Sequence, residues 1–196
     1  MKTIILQNDL VLLRPIELTD AQEIFEAGAD ERIWTHISFT IETKSDAESF
    51  VNTAITSMEK GEKVVFAILD KLTNAVIGST SYMDINHTHK HLEIGSTWLT
   101  PNYWRTSINT NCKFLLLEYA FETLEFERVQ IKTDNLNVRS QDAIERIGAT
   151  FEGQLRSHMK RKDGSMRDTM MYSFIRSEWP EKKLALLELL AQEEDR

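Results

Sequence analysis

Glu93-Ile94-Gly95-Ser96-Thr97-Trp98-Leu99 is the stretch on which the reading of this chain turns. Ile94, Trp98 and Leu99 give it the apolar content of a short strand. Thr100-Pro101-Asn102 breaks the pattern, and a small polar turn follows over Tyr103, Trp104, Arg105, Thr106, Ser107, Ile108, Asn109 and Thr110. The turn runs directly into a helix-like segment from Asn111 to Phe121. A strand, a tight polar turn and a helix in that order leave unpaired backbone N–H groups at the helix start, where a phosphate or another anion is favoured. Every unit of this kind has a helix start, so the order nominates an anion site without assigning one.

Downstream, Arg128–Thr133 reads as a strand, with Val129 and Ile131 on one face and Gln130 and Lys132 on the other. Asp134–Asn137 is a polar turn, and Val138–Ile147 a short helix stopped by Gly148. Two strands, Phe151–Met159 and Thr169–Ile175, are joined through the turn signal Lys162-Asp163-Gly164. Glu181–Gln192 is a leucine-rich helix suited to packing on its own domain or on a second subunit, and a homodimer through it is one option. Twelve residues running into Glu193-Glu194-Asp195 make a poor membrane anchor.

Upstream, Leu10–Arg14 is a strand ending at Pro15, and Thr19 or Asp20 is placed to cap a helix over Ala21–Ala27. Trp34, Ile37 and Phe39 are either core filling under a loop or one wall of a substrate cleft. Ser45–Met58 carries apolar residues at helical spacing, and Val64–Leu69 and Ala75–Tyr82 form a hairpin across Asp70–Asn74. Asp84–His91 reads as a polar connector holding His87, His89 and His91. No cysteine or nearby acidic partner completes a zinc pattern there, so no metal site is expected. The order as a whole is β-α-α-β-β-β-α-β-α-β-β plus a terminal helix, which implies an α/β fold with a central mixed sheet and helices on both faces.

The chain has 196 residues, with 41% hydrophobic and 28% charged, the balance of a soluble globular protein with enough material for a core. One domain over residues 1–196 is expected. The net charge of −8 argues against a broad nucleic-acid surface and favours a basic or amine-bearing partner. The single Cys112 excludes an intrachain disulfide. No apolar run is long enough to span a membrane, and Met1-Lys2-Thr3 leads into ordinary fold sequence, so a cytoplasmic protein is expected. There is no G-x-S-x-G turn for a Ser-His-Asp hydrolase and no Walker loop.

Glu93–Leu99 with Pro101, Tyr103 and Trp104, followed by Asn137-Val138-Arg139-Ser140 and Ala143-Ile144-Glu145-Arg146-Ile147-Gly148-Ala149, resembles the GNAT superfamily of acetyl-CoA-dependent N-acetyltransferases. Leu12-Leu13-Arg14-Pro15 with Thr19-Asp20-Ala21 is similar to the opening of the branch that acetylates ribosomal-protein amino termini. The resemblance covers roughly residues 10–176. It implies the acyl-CoA N-acyltransferase fold, in which two neighbouring parallel strands splay and the pantetheine arm of acetyl-CoA enters between them. Those strands would be the ones near Leu92–Leu99 and Val129–Thr133. Trp98 and Leu99 would bond the arm, and Tyr103–Thr110 would form the pyrophosphate loop. Lys113 and Arg139 are further candidates for the phosphates.

The family loop carries two glycines, in a pattern like Trp-Gly-Thr-Gly, where this chain has Trp104-Arg105-Thr106-Ser107. Arg105 would either meet phosphate directly or obstruct it. The resemblance implies direct attack by a primary amine, a protein amino terminus or a small molecule, in a ternary complex. Glu93 is the expected base, or a carboxylate that only orders the cleft. Ser140 is the expected acid toward the coenzyme sulfur, or a residue that, with Asn137, only shapes the turn. Asn137 would hold the arm, and Trp34, Phe39 and Glu93 would face the acceptor. The alternative function is an inactive coenzyme A-binding module of the same fold.

Overall fold

The computed structural model describes residues 4–194. The amino-terminal Met1-Lys2-Thr3 and the penultimate Asp195 that entered the reading above lie outside them. The strands are β1 (Leu6–Gln7), β2 (Val11–Pro15), β3 (Val64–Asp70), β4 (Val76–Asn86), β5 (His91–Leu99), β6 (Arg128–Asp134), β7 (Thr150–Lys160) and β8 (Met166–Ile175). The helices are α1 (Ala21–Ala27), α2 (Lys44–Glu59), α3 (Ile108–Glu118), α4 (Val138–Arg146) and α5 (Trp179–Glu194). One mixed sheet runs in the order β1-β2-β3-β4-β5-β6-β8-β7. Every neighbouring pair is antiparallel except β5 and β6.

Alternation along the strands sends side chains to two cores. Leu13, Phe66, Ile68, Leu92 and Ile94 pack under α3, α4 and α5 with Leu116, Phe121, Ile144 and Leu186. Val65, Ala67 and Trp98 pack under α1 and α2 with Ile24, Ala47 and Val51. Helix α2 starts at a capping box in which Asp46 N–H donates to Thr43 Oγ1 at 3.2 Å and Thr43 N–H donates to Asp46 Oδ2 at 2.8 Å. On α5, Leu186 and Leu190 are buried and the Trp179 ring lies tilted against Phe121 at 5.3 Å, while Leu184 and Leu187 face solvent. No helix among the described residues is long and apolar enough to cross a membrane.

Three local expectations are corrected, and one strand is added. Asp20 does not cap α1, because its carboxylate is taken by Arg14 at 2.6 and 2.7 Å and by the Glu17 N–H at 2.8 Å. The polar connector over Asp84–His91 is half strand: Asn86 pairs with His91, and the turn is confined to His87–Lys90, helped by a left-handed Lys90. Backbone pairing there overrides the polar composition. Helix α3 begins at Ile108 rather than Asn111, so Ile108, Asn109 and Thr110 belong to its first turn, and it ends in a π turn over Tyr119–Thr123. Strand β1 escaped notice because two residues carry no period.

The sheet's feature of consequence lies between β5 and β6. Their parallel ladder holds only His91↔Arg128, Leu92↔Val129 and Glu93↔Gln130. Beyond it β5 stays with β4 as far as Gly78↔Leu99, and β6 stays with β8 as far as Asp134↔Thr169. Gly78 permits that outer pairing, since a Cβ there would lie 2.2 Å from the Trp98 carbonyl oxygen. Gly78→Ala is therefore expected to cost about 1–3 kcal/mol, lowering Tm by several degrees, and to displace the end of β5; a thermal melt unchanged from wild type would contradict this placement.

Candidate active site

The splay opens a cavity of about 590 Å³, within the range of small-molecule sites. From Ile94 onward β5 has no strand partner on its β6 side, so alternate backbone N–H and C=O groups on that edge face the gap. Left-handed Ser96 (φ 49°) puts a bulge in β5, and the next residue, Thr97, turns its hydroxyl toward α3. Trp98 goes the other way, against Trp34 at 5.1 Å in the α1–α2 core.

Glu93 stands where the ladder ends. It is 1% exposed, and burial raises its carboxyl above the ordinary value, opposed by Lys132 and Gln130. Lys132 Nζ lies 2.8 Å from Oε2, and Gln130 Nε2 donates to the same oxygen at 3.1 Å. Oε1 has no hydrogen bond among the described residues. Gly95 leaves space beside it, since a Cβ there would come within 2.9 Å of Oε1. One oxygen is thus anchored and the other faces the gap, the arrangement a proton acceptor needs.

At the mouth, the loop after β5 meets the start of α4. The Arg139 guanidinium lies 3.9 Å from the ring centre of Trp104, whose Nε1 donates to the Leu99 carbonyl at 2.8 Å. Burial and the nearby Arg105 charge lower Arg139's affinity for its proton. Neither guanidinium pairs with a carboxylate among the described residues, and Ser107 gives the start of α3 no side-chain cap. Two cations stand on the cavity beside the first turn of α3, where the Ile108 N–H donates to Thr106 Oγ1 at 3.4 Å, and this setting suits a diphosphate. Arg105 sits at φ +62°, a left-handed conformation that glycine adopts without strain. Ser107, at φ −69°, needs no glycine.

Helix α4 brings Ser140 to the cavity from the opposite side. Asn137 caps the helix by accepting the Ser140 N–H on Oδ1 at 3.1 Å, while the Ser140 hydroxyl meets no partner among the described residues. Trp98, Leu99, Tyr103, Trp104, Arg105, Thr106, Asn109, Asn137, Arg139, Phe39 and Glu93 also line the cavity. The side chains of Ser107, Ile108 and Thr110 do not: Ile108 is buried in the core, and Thr110 accepts from Arg146 at 3.3 Å. Trp34 is likewise set back. Its indole donates to the Gly28 carbonyl at 2.9 Å and lies between Phe39 and Trp98, so it braces the wall instead of facing an acceptor.

The sequence reading missed Lys132, Gln130 and Arg167, all of which stand on one face of β6 and β8; for the first two, their alternation with Val129 and Ile131 was the available signal. It placed Lys113 at the phosphates. The structure buries that ammonium inside the gap, donating to Thr97 at 2.7 Å, with Thr97 in turn bonded to Thr80 at 2.7 Å. Cys112 is fully buried and its thiol is pushed up to about 12, which leaves it unreactive.

Burial lowers the Lys113 value to about 8. Between that value and the ordinary lysine value the unfolded chain holds a proton the folded chain has lost, so stability rises with pH across that window. Lys113→Met should then stabilise the protein at pH 7, by roughly 1–3 kcal/mol, with the gain fading as the pH climbs past 8. Denaturant melts at pH 7 and pH 10 check both the sign and the fading.

Comparison with known proteins gives the same picture. The pattern describing the "Acetyltransferase (GNAT) domain" matches residues 11–150. The crystal structure of a GCN5-related N-acetyltransferase from Brucella melitensis superposes with a TM-score of 0.90 at 31% identity, covering 97% of this chain and 86% of that one. The uncharacterized N-acetyltransferase p20 of Bacillus licheniformis is 26% identical over 175 residues, 89% of this chain and 97% of its own length. The uncharacterized N-acetyltransferase YoaA of Bacillus subtilis is 24% identical over 173 residues, 88% and 97% of the two chains. With its splayed parallel pair, its mixed sheet and a match across most of its length, the chain belongs to the GNAT family of acetyltransferases, whose common activity is acetyl transfer from acetyl-CoA.

Proposed function

We propose that the protein moves the acetyl group of acetyl-CoA onto a primary amine by direct attack in a ternary complex, with Glu93 as base and Ser140 as acid. The observation that carries this is the end of the β5–β6 ladder at Glu93↔Gln130. It leaves an open strand edge for an extended amide-bearing arm, with a buried carboxylate at its inner end. The free edge of β5 at Trp98 and Leu99 would hold the pantetheine amides, while Arg105, Arg139 and the first turn of α3 would hold the diphosphate. When bound, acetyl-CoA supplies an acetyl thioester whose C–S bond breaks as the C–N bond forms.

The chain's own residues handle the protons. Glu93 Oε1 takes one from the acceptor nitrogen, and the raised carboxyl value brings it closer to the operating pH of a general base. Lys132 and Gln130 hold Oε2 still, which fixes the direction from which Oε1 works. The unbonded Ser140 hydroxyl has a proton to give to the departing sulfur. Cys112 takes no part, in keeping with transfer without a covalent enzyme intermediate. The acceptor class includes protein amino termini, as in the ribosomal branch, and small amines.

A second reading is favoured by one observation. Arg105 holds a left-handed conformation and lines the mouth beside Arg139, so a long side chain stands where the family pattern has glycine. In that reading the protein binds coenzyme A weakly and turns nothing over. Calorimetry with acetyl-CoA and coenzyme A separates the two: micromolar binding supports the enzyme, and no binding removes it.

Given binding, Glu93→Gln and Ser140→Ala should each cut kcat by about 10²–10⁴ with little change in coenzyme affinity. Equal rates in the variants would cancel the roles assigned. The rate should rise with pH as Glu93 loses its proton. Lys132→Met removes the cation that favours the carboxylate, so this limb should move to higher pH; a limb that stays put would mean that Glu93 is not the group titrating.

A further inference from the structure

The face of the sheet that carries Glu93 also carries an unused cation. Alternation along β6 puts Gln130, Lys132 and Asp134 on that face, and the pairs Lys132↔Met171 and Asp134↔Thr169 carry it across to β8. Two residues before Thr169 comes Arg167, half-buried and lining the same cavity as Glu93. Its Nε is buried without a hydrogen-bond partner, and none of its guanidinium nitrogens bonds or pairs with anything among the described residues. A guanidinium presents five donors in a planar fork and is not relieved by losing a proton.

The carboxylates within its reach are already committed. Glu93 and Asp134 both act on Arg167 electrostatically. Glu93 is held by Lys132 at 2.8 Å, and Asp134 by Arg161 at 2.7 and 2.8 Å. Asp84 is turned to solvent and lies 3.7 Å from Lys132. Asp142 lines the cavity too, but from α4, on the opposite face of the sheet. His36 adds no negative charge, and burial disfavours its protonated form. Lys132 and Arg161 therefore balance the two carboxylates, and Arg167 remains in excess.

A second partnerless donor stands beside the same space. Trp98 lines the cavity on this face with a buried Nε1–H that meets no acceptor. Two unsatisfied donors around one cavity call for a ligand that brings oxygen acceptors. The site is roofed as well: Lys162, at the tip of the β7–β8 hairpin, donates to the Trp34 carbonyl at 2.9 Å and to Thr40 Oγ1 at 2.5 Å. The roof ties the loop that carries His36 and Phe39 to the hairpin whose second strand carries Arg167.

We propose that the acceptor is an amine that also carries a carboxylate, and that Arg167 receives the carboxylate while the amine lies at Glu93. This inference rests on the acetyltransferase reading above and narrows its substrate. Two sources share the chemistry, a small amino acid and a peptide beginning with an acidic residue.

Matched pairs differing in one carboxylate test it. γ-Aminobutyrate is compared with 4-aminobutanamide, and a peptide starting with glutamate with the same peptide starting with glutamine, by thiol release from acetyl-CoA. The expected result is a kcat/KM at least about tenfold higher for the acid member of one pair, and that pair identifies the source. In Arg167→Gln the ratio should fall toward one, and in Arg167→Lys it should persist in reduced form. Equal rates within both pairs, or a preference that survives in Arg167→Gln, would overturn the assignment.

A binding measurement without turnover keeps the two proposals apart. N-acetylglutamate is titrated against N-acetylglutamine in the presence of coenzyme A. Tighter binding of the acid, lost in Arg167→Gln, supports Arg167 as the carboxylate's partner independently of turnover, so a failure of acetyl transfer would then count against the enzyme reading and not against the anion site. Indifference to the carboxylate removes this proposal and leaves the acetyltransferase reading intact.

Discussion

A parallel ladder that stops after three residue pairs is the constraint from which the rest of this structure follows. Parallel strands are normally buried and paired along their length, so an interrupted pair needs support on both sides. β5 is held to β4 out to Leu99, and its Trp98 is anchored in the α1–α2 core. β6 is held to β8 through all of its seven residues. Its far end is fixed by Arg161, which grips Asp134 across the turn that begins α4. Each strand is fully supported by its outer neighbour, so the strands diverge without either losing its place. The unpaired backbone between them is then available to a ligand with amides of its own.

The charges on the Glu93 face follow from the same opening. A buried carboxylate is costly unless it is paired and hydrogen-bonded. Lys132 and Gln130 meet that requirement at Oε2, and burial still dominates the carboxyl value. A partner at Oε1 as well would make a quieter ion pair and a poorer base. Gly95 matters here through what it lacks, since a methyl at that position would crowd Oε1. Removing Lys132 would leave an uncompensated buried charge, so its contribution to the fold and its effect on Glu93 cannot be varied independently. The pH profile is therefore a better reading of its role than the rate alone.

Much of this arrangement was legible in the chain, and the parts that were not share a cause. The strand–turn–helix order over Glu93–Phe121 and the hairpin turns at Asp70–Asn74 and Lys162–Gly164 depend on neighbours in sequence, which the reading could use. Glu93, Ser140, Asn137 and Arg139 were reached only because their flanking residues resemble a family. Trp34 and Thr110 were misjudged because exposure is settled by tertiary packing: Trp34 turned to Gly28 and Trp98, and Thr110 to Arg146. Arg167 was missed because an arginine near a turn looks solvated in sequence. That it forms no ion pair among the described residues appears only when β6 and β8 are laid side by side.

The glycine-poor loop is where local chemistry and family pattern part company, and the backbone indicates how far. Of the two positions where glycine is usual, only Arg105 requires left-handed torsion angles, at a cost of roughly 1–2 kcal/mol for a residue with a Cβ. Ser107 has ordinary helical angles and carries no such cost. Strain of this size persists at functional sites when surrounding contacts over-determine it. Here the Trp104 indole bonded to Leu99 and the Thr106 hydroxyl bonded to the Tyr103 carbonyl at 2.8 Å fix the loop on both sides of Arg105. A glycine in its place would relieve the strain and also remove one of the two guanidiniums at the mouth. The chain carries a charged side chain where the backbone favours glycine, and the diphosphate site proposed above gives that exchange a physical rationale.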